Sequence, residues 1–516
     1  MNRTLAAAAI IVAAVAALLL LGKRTADAPS VDETQYAWRD DLTAEQRLRV
    51  AQVTAAPNDW SVAQPFEENA GGATTTRAMN SPNAFSQPSE NLSLEGRQQF
   101  ALGNALFRKI WVTSPASTQA SDGLGPLYNA RACQRCHLKD GRGHPPEHPG
   151  DEATSLLLRV AIEPRNDTER KAIEDGELLT IPDRVYGGQI QDVAVPGVVA
   201  EGKVLLSYDE APFALAGGES VTLRAPTFLL GDLGYGPLEQ GALVSPRIAP
   251  AMIGLGLLEA VDANDILAWA DPDDADGDGI SGRAQMVRAG GDEEWVLGRF
   301  GWKAAAPSLK AQAAGAFFND MGISSSLHPV AAGECTDAQS DCLAAPSGVQ
   351  DALGPYEASD EVLDLVTFYT ANLAVPARRD VDSPSVLAGK QLFTEAGCAA
   401  CHRPSFVTRN DAPQEELRFQ LIWPYTDMLL HDMGEALSSG RTVGKANGRE
   451  WRTTPLWGLG LTEAVSGHEQ LLHDGRARNV LEAILWHGGE ATDARNAIVE
   501  MDPAEREALL AFLYSL

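Results

Sequence analysis

Two short runs constrain this chain more than anything else in it: Cys133-Gln-Arg-Cys136-His137 and Cys398-Ala-Ala-Cys401-His402. Both read C-x-x-C-H, the spacing at which two thiols add to the vinyl groups of a haem and the next histidine reaches the iron. A random chain of this composition yields such a run about 0.001 times, so a second copy makes the signal specific. Zinc would need a closed set of four ligands around each pair. A thioredoxin-like dithiol would need a βαβ setting, which neither run has. The expectation is covalent haem c at both sites, carried by Cys133, Cys136, Cys398 and Cys401, with His137 and His402 as iron ligands.

Two cysteines remain, Cys335 and Cys342, seven apart. With the other four thiols on haem, a local disulfide is the simplest reading in an oxidising compartment; a redox-active disulfide is the alternative.

Compartment follows from the first residues. Asn2-Arg3 precedes an unbroken apolar run over residues 5–21, then Gly22-Lys23-Arg24, with a small-x-small cleavage pattern at Ala26-Asp27-Ala28. That is an export signal, either cleaved or retained as an N-terminal anchor, and both place the rest of the chain in a periplasm-like space. A buried soluble helix is the plain alternative. Apolar residues at 44% and charged residues at 22% exclude a polytopic membrane protein and a wholly disordered one. A formal charge of −29 repels phosphate backbones, so nucleic acid is not expected as a partner.

The chain also repeats itself. Gly103-Asn-Ala-Leu-Phe107 and Gly389-Lys-Gln-Leu-Phe393 share a G-x-x-x-F pattern on expected helices over residues 94–111 and 384–394. Each half should close with a helix, over 360–373 and 503–516, the latter opened by Asp502, Pro503 and Glu505. The division expected is a signal or anchor at 1–28, an extended arm at 29–92 with a short helix near 43–53, a first haem domain at 93–373, a linker at 374–384 and a second haem domain at 385–516. Strand-like runs at 155–162, 204–208 and 221–230 belong to inserts in the first copy.

Asp274-Ala-Asp276-Gly-Asp278-Gly279-Ile280 matches the first half of an EF-type calcium loop, with Asp274, Asp276, Asp278 and the Ile280 carbonyl as ligands. Gln285 stands where the bidentate Glu would be, and an acidic surface turn is the alternative.

Several further segments carry a family resemblance. Gly123-Leu-Gly-Pro-Leu-Tyr-Asn-Ala-Arg-Ala-Cys-Gln-Arg-Cys-His137, Asp140-Gly-Arg-Gly143, Gly298-Arg-Phe-Gly-Trp-Lys303, Asp320-Met-Gly-Ile323, His431-Asp-Met-Gly434 and Leu472-His-Asp-Gly-Arg-Ala477 resemble exported di-haem oxidoreductases, and more distantly the bacterial di-haem cytochrome c peroxidases. The resemblance implies a mainly α fold of two cytochrome c-like haem domains, the first enlarged by inserts with minor β structure. It implies peroxide chemistry at the first haem and electron relay through the second.

In the peroxidases a methionine ligates the relay haem fourteen residues after the His of a His-Asp-Gly segment; here that position is His487. The residues agree, since His487 shares an otherwise apolar helix face with Val480, Ala483 and Ile484 and needs a polar partner. Met501 is the rival ligand, and a core histidine bonded to protein the plain alternative. The peroxidases set a Gln and a Glu ten residues apart beside peroxide, which here selects Gln191 and Glu201 as catalytic, with Gln189 and Asp192 close by. Glu201 would move a proton during O–O cleavage. His144 or His148 could cap the first iron, and Trp302 or Tyr186 could replace the inter-haem Trp, because Ile181 occupies its place.

The leading expectation is a peroxidase fed by a small redox protein such as a cytochrome c or a cupredoxin. A di-haem oxygenase or oxidase of an organic or protein substrate is the second reading, and a non-enzymatic two-haem carrier the third.

Overall fold

The computed structural model describes residues 35–79, 81–147, 151, 154–289, 294–350 and 352–516. Residues 1–28, where an export signal or anchor is expected, and His148 lie outside them. No helix among the described residues is long and apolar enough to cross a membrane. The chain divides into two compact units, Met1–Ala55 and Ala56–Leu516. In the first, the helix Ala44–Thr54 starts from a capping box in which Thr43 and Gln46 satisfy each other's backbone N–H groups.

The larger unit is organised by two helix pairs. Leu94–Phe107 packs on Asp360–Ala371, and Pro384–Glu395 packs on Pro503–Ser515. The two glycines of the repeated pattern explain both crossings. A Cβ at Gly103 would strike the Leu365 carbonyl, and one at Gly389 would strike the Ala508 carbonyl. Hydrogen at these positions lets backbones touch, and the phenylalanine one turn later fills the core beside them. Phe107 lies 5.2 Å from Tyr369 and Phe393 lies 5.2 Å from Phe512, centroid to centroid. Gly389→Ala should therefore cost about 1–3 kcal/mol of overpacking, at the upper end because backbone cannot step aside. The denaturant midpoint measures it, and an unchanged midpoint would show that the helices can separate at no cost.

The expectation of a mainly α fold built from two cytochrome c-like domains is overturned. The described residues are 32% helix and 17% strand. Strands form seven small sheets among the described residues, six of two strands and one of three. Leu156–Ala161 runs between Gln189–Ile190 and Leu243–Ile248, antiparallel to both. Lys203–Ala214 and Ser220–Gly231 form a hairpin in unbroken register from Lys203↔Gly231 to Ala214↔Ser220. Its turn reaches the last helix, where Arg506 donates to the Ala216 carbonyl at 2.8 Å and to Glu219 at 2.6 Å. The second half holds strands too, Phe406–Val407 with Leu421–Ile422 and Leu430–Asp432 with Glu450–Arg452. Segments of two or three residues are too short to show alternation in a sequence, which is why these ladders escape it.

Candidate active site

The second C-x-x-C-H run follows directly on its helix. Pro384–Glu395 ends at Ala396, and Gly397 takes the left-handed conformation (φ 89°) that turns the chain into the Cys398–Ala400 turn. His402 then sits with Nδ1 2.9 Å from the Tyr425 carbonyl. A neutral ring must donate there, which leaves Nε2 as the lone-pair nitrogen. His487 is held in the same way, its Nδ1 2.7 Å from the Ala483 carbonyl one helical turn back. Cys398, Cys401, His402 and His487 all line one chamber, whose remaining wall includes Phe393, Leu471, Val480, Ile484 and Leu509. Burial lowers His402 to about 4 and lowers His487 as well, so both imidazoles are neutral donors of a lone pair.

These residues fit a haem: free thiols, two oriented imidazoles and apolar walls around them. Met501 packs in the adjoining core with Leu509 and Phe512. One chamber residue that the spacing arguments passed over is His431, gripped between Asp427 at 2.8 Å and Glu490 at 2.7 Å. Those two carboxylates raise it well above the ordinary histidine range against the opposing effect of burial, so it is a buried cation on the chamber wall.

The first run repeats the anchoring. Cys133–Cys136 forms one helical turn, and His137 places Nδ1 2.8 Å from the Pro250 carbonyl. Burial lowers His137 to about 4 and raises the Cys133 thiol to about 12. Behind it, Asp140 accepts from Tyr369 at 2.8 Å and from Ser86 at 2.5 Å. Burial lifts Asp140 to about 6 despite those two donors. His144 turns its Nδ1 to the Pro145 carbonyl, and its ring lies 4.8 Å from that of His468.

Gln191 and Glu201 meet. The Gln191 N–H donates to Glu201 Oε2 at 2.6 Å, and the Glu201 N–H donates back to the Gln191 carbonyl at 3.0 Å. Glu201 is fully buried, and Gln339 donates to its other oxygen at 2.5 Å. Burial pushes this carboxyl up to about 8, outweighing both donors. Gln339 lies inside the loop closed by the Cys335–Cys342 disulfide, whose Cα atoms are 5.9 Å apart.

Two carboxylates that the sequence had given no site role, Glu334 and Asp320, complete the cluster. Glu334, beside Cys335, accepts the Gly188 N–H at 3.2 Å, while its Oε2 is buried with no hydrogen-bond partner. Asp320 accepts from Gln189 Nε2 at 3.0 Å and is the charge nearest in effect to the Cys136 thiol. Gln189 Oε1 is a further buried atom without a partner. Gln189, bonded to the Asp320 that acts on the Cys136 thiol, thus leaves a buried acceptor open to a polar species near the first motif. Asp320 stood in a motif the sequence displayed, but nothing local in the sequence marks Glu334.

Of the two aromatic substitutes, Trp302 lines the second chamber and donates its indole N–H to the Ile248 carbonyl at 2.9 Å. Ile248 is two residues from Pro250, which holds His137. Tyr186 packs elsewhere, with Leu158, Val160 and Ile190, and donates its hydroxyl to the Gly236 carbonyl at 2.5 Å. In the acidic loop, carboxylate oxygens of Asp271, Asp274 and Asp276 lie within 4.8 Å of one another. Asp278, expected among the ligands, instead accepts the Ile280 N–H at 2.8 Å, and Asp271 enters in its place.

Residues 66–516 match the family described as di-haem oxidoreductase, putative peroxidase. The chain belongs to that family. No curated protein matches the oxidoreductase at a significant level. The match spans both C-x-x-C-H runs, both helix pairs and the buried carboxylate cluster, so haem and oxidoreductase chemistry belong to the whole of that stretch.

Proposed function

We propose that this oxidoreductase is an exported peroxidase with haem c covalently bound at both motifs. Hydrogen peroxide takes up two electrons and two protons at the first motif and leaves as two water molecules. The electrons arrive singly from a small redox protein, a cytochrome c or a cupredoxin, and enter through the second motif. The observation that carries the reading is an asymmetry. Two histidines pinned by backbone carbonyls, His402 and His487, line the second chamber, whereas among the described residues the first motif offers His137 pinned by Pro250, with Asp320 acting on its Cys136 thiol.

When bound at the first motif, haem supplies the redox centre for cleaving the O–O bond. His137 would hold that group, with its ring orientation set by the Pro250 carbonyl. Glu201, raised to about 8, keeps at neutral pH a proton that an unburied carboxylic acid would already have lost, so it has one to donate. Gln191 fixes Glu201 through its N–H, and its side-chain amide donates to the Asn319 carbonyl at 3.1 Å, next to Asp320. Trp302, tied through Ile248 to the segment that ends in Pro250, is the aromatic ring between the two motifs.

The test is spectroscopic and catalytic together. The purified protein should consume two equivalents of reduced donor per peroxide, with one haem open to peroxide and the other low-spin. His487→Ala should convert the low-spin haem to high-spin and raise its potential, because a strong imidazole donor is lost. An unchanged low-spin spectrum assigns the sixth position to another residue. Two low-spin haems inert to peroxide even after partial reduction would instead make the protein an electron carrier.

Calcium at Asp271, Asp274 and Asp276 belongs to the same proposal, as does a periplasmic location set by residues 1–28. An ion bound only by the folded chain should add about 2.7 kcal/mol at a hundredfold excess over Kd. A melting temperature flat across a calcium titration removes that site.

A further inference from the structure

Near Trp451, which lines the second chamber, four basic side chains converge in the interior, and burial lowers one of them, Lys303, to about 6. Arg247, Arg441 and Lys303 are 8%, 7% and 3% exposed. Arg247 lies 4.2 Å from the centroid of the Trp451 ring and the Lys303 ammonium 4.4 Å from the same ring. Arg441 and Arg159 both repel Arg247, and Arg441 and Arg247 both repel Lys303. Like charges this close, out of water, need compensation.

The protein supplies little of it. Lys303 is satisfied, donating to the Asn447 carbonyl at 2.6 Å and the Glu450 carbonyl at 2.7 Å. Arg159 reaches Asp320 at 4.0 Å. Arg441 donates to Thr180 at 3.3 Å, but its Nε is buried without a partner. Arg247 makes one long contact, 3.5 Å to the carbonyl of its own neighbour Pro246. The facing carboxylates have other partners. Asp474 is paired with Arg476 at 2.7 Å and Glu450 with Arg283 at 3.2 Å, while Asp320 accepts from Gln189 at 3.0 Å and Glu334 from the Gly188 N–H at 3.2 Å.

We propose that Arg247 and Arg441 form a closed anion seat that receives haem propionates at the junction of the two sites. Position supports this choice of anion. Arg247 stands three residues before Pro250, which anchors His137, and its ring partner Trp451 lines the chamber of His402 and His487. Burial favours a resident carboxylate over a diffusing one, since a free anion would have to shed its water on every visit. The seat rests on the two-haem reading, and its test keeps the two separable.

Arg247→Gln, Arg247→Lys and Arg441→Gln are compared with the native chain by potentiometric titration, after covalent haem is counted in denatured samples. Cations near a propionate favour the reduced iron, which carries one positive charge less. Arg247→Gln should therefore shift one reduction equilibrium toward the oxidised form by about tenfold, which is 59 mV for one electron. Arg247→Lys should restore most of the shift. If Arg247→Gln does not fold, Arg441→Gln carries the same expectation. Two haems with unmoved potentials in both Gln variants would overturn the seat and leave the two-haem reading intact, whereas absent covalent haem overturns that reading first. A saturable spectral response to added formate, lost in Arg247→Gln while the potentials stay fixed, would overturn it in favour of a free carboxylate.

Discussion

Glu201→Gln should retain both haems and lose about 10²- to 10⁴-fold in peroxide turnover, the usual worth of a positioned general acid. The swap preserves shape, and an amide can still accept from the Gln191 N–H and stand beside Gln339, so lost folding is not the expected cause. The pH dependence separates proton transfer from packing. With its carboxyl raised to about 8, native turnover should fall as pH climbs through that value, and the variant should lose that limb of the profile. Stability carries the same signature. The folded chain keeps a proton that the unfolded chain releases near 4.5, so this group's contribution is complete below 4.5 and declines as pH rises to about 8. Glu201→Gln should flatten that decline. A variant with native turnover and an unaltered pH profile removes Glu201 from proton delivery, and Glu334, with its open buried oxygen, becomes the residue to replace.

The paired change Cys133→Ala and Cys136→Ala should leave one covalent haem and abolish peroxide reduction, while the remaining haem still accepts electrons. The reciprocal pair, Cys398→Ala and Cys401→Ala, should also leave one haem but with a different defect. Peroxide would still meet the first site, yet turnover would stall for want of the second electron. Mass and absorbance of the denatured chains count the haems, and stopped-flow mixing separates the two defects. Two haems surviving either change would refute the attachment assignment. Equal kinetic defects in the two variants would refute the division of labour between the sites.

Much of this was legible in the chain because it is local chemistry. A C-x-x-C-H run brings thiols and imidazole together within one turn wherever it is folded, and the Cys335–Cys342 loop closes over seven residues. Helix limits were legible for the same reason. Asp502 accepts from Glu505 N at 2.9 Å and Asn479 caps Glu482 at 2.9 Å, each within a single turn of sequence. Gln191 and Glu201 come together because ten residues form one short reversal of the chain.

The mixed fold was not legible. The longer strands, Leu156–Ala161 and the Lys203–Gly231 hairpin, lay within runs the sequence displayed, but most of the other ladders are two or three residues long and depend on partners far off, as when Leu127–Tyr128 pairs with Val193–Ala194. Nor could spacing find Glu334 or the Arg247–Arg441 pair, whose importance lies in being buried without enough partners. By itself the sequence determined which thiols and imidazoles stand together in the two C-x-x-C-H runs, where each motif's helix begins and which glycines recur in the repeat, since bond reach and one helical turn settle those. Only the tertiary structure decided which carboxyls hold a proton at neutral pH and which cations lack a counter-charge. Those properties follow from desolvation and from neighbours drawn out of distant parts of the chain, and no run of adjacent residues encodes them.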